Sequence, residues 1–95
     1  MTTCVVQVDE LVQIGESLVV SATDIDKTGV RLLVRGRIVG GPSDGETVNT
    51  TYELGVGKSI SISPSIAVAL QEIDGLDAVL KVFAPPTLAV QRVSY

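Results

Sequence analysis

Sliding this chain against itself by 48 residues aligns Ile14-Gly15-Glu16-Ser17-Leu18-Val19-Val20 with Ile62-Ser63-Pro64-Ser65-Ile66-Ala67-Val68. The register then runs on without a gap. Ile25-Asp26 falls on Ile73-Asp74, Leu32 on Leu80 and Val34 on Val82, so that seven of the 21 positions from 14 to 34 are identical. Repetition at a fixed period means that one supersecondary unit is used twice. In 95 residues it leaves two halves, approximately 1–47 and 48–95. Each is too short to bury a core by itself, so the two must share one and form a single domain, 1–95.

The side chains available to that core favour strands. Val, Ile and Thr make up 31 of the 95 residues, and aromatic residues only 3%. Branching at Cβ suits a pleated surface better than a helix. Turn signals at Gly15-Glu16, Asp26-Lys27-Thr28-Gly29, residues 40–45, Gly55-Val56-Gly57, Ser63-Pro64-Ser65, Asp74-Gly75 and Pro85-Pro86 cut the chain into short segments. Segments 18–25 and 30–38, joined by a four-residue turn, read as a hairpin, as do 66–73 and 78–83. In the second arm of the first hairpin, Leu32, Val34 and Ile38 alternate with Arg31, Arg35 and Arg37, the period of a half-buried strand. Residues 66–73 contain Ala and Gln, but eight residues directly after Pro64 read as a strand and not as a helix. The expected fold is all-β, a small barrel or sandwich of about ten short strands made from two repeated five-stranded halves.

Several functional classes are disfavoured by composition. The chain has no His, which removes the commonest general base and metal ligand, and its one Cys, Cys4, allows no intramolecular disulfide or cysteine metal cage. Cys4 reads as a small buried hydrophobe. No apolar run suggests a transmembrane helix, and no basic-then-apolar leader suggests secretion. The acids sit mostly at turns, without a metal-ligand spacing. Neither a cofactor nor a metal is expected, and the chain is read as a non-enzyme.

Residues of the second half carry a resemblance. Leu54-Gly55-Val56-Gly57-Lys58-Ser59-Ile60-Ser61-Ile62, Ile66-Ala67-Val68, Val79-Leu80-Lys81-Val82-Phe83-Ala84-Pro85-Pro86 and Leu88-Ala89-Val90-Gln91-Arg92 resemble the carbon storage regulator (CsrA/RsmA) family of small bacterial RNA-binding proteins. In the first half Gly15-Glu16, Leu18-Val19-Val20, Gly29-Val30-Arg31-Leu32 and Val34 fit its third and fourth strands. The resemblance implies five-stranded units that intertwine as a dimer, here fused in tandem as a single-chain pseudo-dimer. It also implies binding of single-stranded GGA-containing RNA through arginines of the first and last strands. Leu54-Gly55 and Val6-Gln7 stand where the paired arginines belong, Pro86 replaces a Lys, and Gln91-Arg92 replaces His-Arg. Gln91 and Arg92 are thus the residues left for RNA contact, and most of the phosphate-binding charge is gone.

A net charge of −4 also disfavours nucleic acid, whereas Arg31, Arg35 and Arg37 form the one cationic stripe, a docking face for an acidic partner or a solvated face with Asp24 opposite Arg31. Open strand edges are expected at 3–8 and 88–94. The favoured reading is a structural or assembly protein that associates with itself or with a larger protein assembly, for instance a capsid decoration protein, in the cytoplasm or a virion. The alternative is an RNA-binding regulator.

Overall fold

The computed structural model describes residues 2–38 and 44–93. Nine strands follow one another: β1 (Thr2–Val6), β2 (Leu11–Ile14), β3 (Leu18–Ile25), β4 (Gly29–Arg37), β5 (Thr47–Gly55), β6 (Ser59–Ser63), β7 (Ile66–Asp74), β8 (Asp77–Phe83) and β9 (Val90–Val93). Among the described residues there is no helix. The strands form two antiparallel sheets, ordered β1-β8-β7-β6 and β5-β4-β3-β2-β9. They pack as a small sandwich around one cluster of buried side chains, including Val12, Ile14, Leu18, Leu32 and Val34 from one sheet and Ile66, Val68, Leu70, Leu80 and Val82 from the other.

The 48-residue shift holds strand by strand. β2, β3 and β4 correspond to β6, β7 and β8, and the pairings Val12↔Val20↔Val34 recur as Ile60↔Val68↔Val82. Even the defect in the ladder recurs: the β3–β4 register shifts between Ala22 and Asp24, and the β7–β8 register between Leu70 and Glu72. The turn before β2 places Asp9 at φ 74°, and its counterpart before β6 places Gly57 at φ 83°. The amides of Asp9 and Gly57 donate to the carbonyls of Ala22 and Leu70 at 3.0 and 2.9 Å. Each tight turn is thereby anchored at the bulge of the following hairpin.

First strands are exchanged between the halves. β1 pairs with β8, with Cys4↔Leu80 and Val6↔Ala78. β5 pairs with β4, with Tyr52↔Leu32 and Leu54↔Val30, the same pairs displaced by 48. The continuous strand β5 spans the junction between the halves. β9 also crosses over, pairing with β2 of the first half.

About ten strands are expected and nine are found among the described residues. The shift places the counterpart of β9 at 42–45, of which Asp44 and Gly45 lie in a turn. Gly45 donates to the Ile38 carbonyl at 2.8 Å and Ile38 to that of Glu46 at 2.9 Å, closing a β4–β5 hairpin where the first half would otherwise continue to a fifth strand. The rest of the Gly-rich stretch 40–45 lies outside the described residues. The strand expected at 66–73 is β7, and the turns expected at 26–29 and 74–75 close the two hairpins.

Candidate functional site

Alternation along β4 sends Val30, Leu32 and Val34 into the core and leaves Arg31, Arg35 and Arg37 exposed. Arg31 is neutralised locally. Its Nη2 lies 2.7 Å and its Nε 3.2 Å from Oε1 of Glu53, directly opposite on β5. That hydrogen bond and charge hold the guanidinium more firmly protonated than usual, and Asp24, opposite on β3, adds to the effect. Arg31 therefore has its nearest partner on β5 and not in Asp24. Arg35 and Arg37 form no ion pair among the described residues.

Gln91 and Arg92 point to opposite faces. Gln91 pairs with Gln13, and the same cross-strand row continues through Val19 and Arg35 to Asn49 on the outer face of the five-stranded sheet. Arg92 stands opposite the buried Val12 and reaches the other sheet, its Nη1 donating to the Val5 carbonyl at 3.1 Å. It closes the seam between β9 and β1. The two residues expected to contact RNA together are thus separated by the pleat.

Cys4 is buried between the sheets. Burial pushes its thiol above the ordinary value, with the Arg92 charge opposing in part. This favours the neutral thiol. No cluster of three or more His, Cys, Asp or Glu among the described residues is arranged to hold a metal ion. A shallow cleft lies between Asp24, Asp26, Arg31, Glu53 and the backbone of Gly29 and Gly55. At the matching place in the other half, Gln7 Nε2, in the position of Gly55, donates to Oδ1 of Asp77, in the position of Gly29, at 2.8 Å.

The most consequential difference between the halves lies on the outer faces. Arg31, Arg35 and Arg37 of β4 correspond to Val79, Phe83 and Pro85, and Glu53 corresponds to Val5. Where one sheet has the Arg31–Glu53 ion pair, the other has Val5 facing Val79. Ala67 and Ala69 complete this face on β7, beside Phe83 and Lys81 on β8. Val5 and Phe83 are 40% and 42% exposed, and Lys81 and Glu72 are the charges on the patch. One repeat unit has thus produced a charged outer face and an apolar one. Val5, Val79 and Phe83 were missed as site residues, although reading the arginine stripe through the 48-residue shift leads to them. No family model, curated protein or solved structure matches this chain.

Proposed function

We propose that the protein is a non-enzymatic assembly component whose copies associate through the apolar outer face of the four-stranded sheet, as in a small virion or capsid decoration protein. The observation that carries this reading is the exchange of Arg31, Arg35 and Glu53 for Val79, Phe83 and Val5 at matching positions. Exposing Val5 and Phe83 on a face that also carries Val79, Ala67 and Ala69 costs solubility in a free monomer, and this face gains by being covered. The outward charges of the other sheet keep that side in water.

Light scattering over a roughly hundredfold concentration range tests it, together with thermal unfolding over the same range. Association with a midpoint that rises with concentration, both lost in Phe83→Glu, is expected. A monomer at every concentration would reject the reading.

A second reading, an RNA-binding regulator, is supported by two observations. The exchange of first strands between halves is what a fused, intertwined dimer of carbon storage regulator type would require. The row Gln91, Gln13, Arg35 and Asn49 also offers hydrogen-bond donors along one sheet face. Salt-dependent binding of a GGA-containing RNA loop, lost in Arg35→Glu, would favour it over assembly.

A further inference from the structure

The two seams of the sandwich are covered unequally. In the first, β9 lies on the outer edge of β2, Gly15 donates to the Ala89 carbonyl at 2.7 Å, and Leu88 sits so close over Gly15 that a Cβ there would lie 3.1 Å from its Cδ2. Beside this cover Val12, Ile14 and Cys4 are 0%, 2% and 7% exposed. In the second seam, among the described residues, β6 is an edge strand. The counterparts Ile60, Ile62 and Tyr52 there are only half-buried, although they too pack against the core.

The edge of β6 is suited to pairing. Leu70 donates to the Lys58 carbonyl at 2.9 Å, so Lys58 and Ile60 face β7, and alternation turns the backbone groups of Ser59 and Ser61 outward. Ser59–Ser63 contains no charged residue and no Pro, two of the usual means of blunting an edge, and its register with β7 is irregular only beyond Ser61. Residues 40–45, which correspond to Leu88-Ala89-Val90-Gln91-Arg92-Val93, read Gly-Gly-Pro-Ser-Asp-Gly and have neither the apolar nor the basic side chains of that cover.

We propose that β6 accepts an antiparallel strand from another protein of the assembly, an extended apolar-x-apolar-x-basic segment of the kind that β9 presents to β2. The pattern comes from the covered seam. Leu88 and Val90 pack toward the core, and Arg92 caps the outward carbonyl of Val5. In the open seam the corresponding carbonyl belongs to Glu53, so a basic residue in the guest has a main-chain acceptor in the position that Val5 offers to Arg92. A second copy keeps its own β9 on its own β2, and its β6 has no cation to offer. This is strand addition, in which main-chain bonds supply affinity and alternate side chains supply selectivity. It rests on the reading of the chain as an assembly component.

The probe is a blocked synthetic peptide, Thr-Leu-Ala-Val-Gln-Arg-Val-Ser, added to the intact isotope-labelled chain, with a peptide bearing Asp at the Leu and Val positions as control. Amide exchange at Ser59 and Ser61 should slow roughly tenfold or more with the first peptide and not with the second. Ser61→Pro removes an outward-facing donor and no ladder bond, so it should abolish binding with the unfolding midpoint unchanged. Three results would overturn the proposal: no slowing, changes confined to Leu11–Ile14 through displacement of β9, or Ser59 and Ser61 already protected in the free monomer by its own residues. Protection that appears only as the chain dimerises, and vanishes in Ser61→Pro, would assign the edge to a second copy and overturn it too. Phe83→Glu separates the two readings. Peptide binding that fails while Phe83-dependent assembly persists removes this inference alone, whereas loss of that assembly with peptide binding intact removes the apolar-face reading alone.

Discussion

Gly36 and Gly75 both sit at positive φ, +129° and +62°, yet their surroundings differ. A Cβ at Gly36 would lie 1.9 Å from the Ser17 carbonyl oxygen, the atom that accepts the Arg37 amide, whereas a Cβ at Gly75 would meet nothing within 4 Å. Gly36→Ala must therefore separate the β3–β4 ladder at its end as well as strain the backbone, at a cost of about 3–5 kcal/mol. Gly75→Ala bears only the left-handed backbone cost, about 1–2 kcal/mol. Urea unfolding of the two variants should keep that order, and equal losses would refute the role assigned to the Ser17 contact. Asp26 offers a second test at this scale. Its Oδ1 accepts from Thr28 Oγ1 at 2.7 Å and from the amides of Thr28 and Gly29 at 2.8 and 3.0 Å, which lowers its carboxyl below the usual range, the Thr28 hydroxyl contributing most. A folded value below the unfolded one stabilises above the ordinary aspartate range, and this gain is lost as pH falls through the folded value. Asp26→Asn should accordingly melt below the parent at neutral pH, with the gap closing on acidification through that range. A gap that stays constant would show that the charge contributes nothing.

Among the elements, the contrast between the two outer faces can be tested by exchange. Val5 and Val79 occupy the positions of Glu53 and Arg31, opposite one another on neighbouring strands. The double variant Val5→Glu/Val79→Arg should fold with a midpoint within a few degrees of the parent, because the other half already accommodates that pair. It should also reduce association through the apolar face, and an unfolded product would show that the halves differ more than their registers indicate. Both hairpins, the alternation along β4 and the turn at 26–29 were legible in the sequence, because side-chain period and turn chemistry are local. The partners of each strand were not. Alternation determines which side chains of β1 face inward, and β8 is no more strongly indicated by it than β4. The same limit explains the site residues. Arg31 could be placed opposite Asp24 from the hairpin alone, but Glu53 becomes its neighbour only through the β4–β5 pairing. Likewise, nothing local to Gln91-Arg92 indicates that the arginine would reach Val5.

For the whole molecule, exchange of strands makes each half incomplete without the other. The four-stranded sheet takes β1 from the first half, and the five-stranded sheet takes β5 and β9 from the second. Matching core positions of the two halves also differ in size. Cys4, Val6 and Ala22 correspond to the larger Tyr52, Leu54 and Leu70, whereas Val30 corresponds to the smaller Ala78. Two copies of one half would therefore carry one set of these residues twice and change the volume available in the core, and both overpacking and cavities destabilise. Cutting the chain between the exposed Asp44 and Gly45 leaves all nine strands intact and gives fragments 1–44 and 45–95. Each fragment alone should lack fixed tertiary structure. Mixed, they should form a 1:1 complex whose amide spectrum matches that of the intact chain and whose midpoint rises with concentration, since the linkage is no longer covalent. A monomeric fragment 45–95 with a stable β6–β8 sheet would refute the dependence of each half on the other. A homodimer of that fragment as stable as the mixed complex would leave strand exchange standing and show that the size differences between the halves are not needed for a filled core.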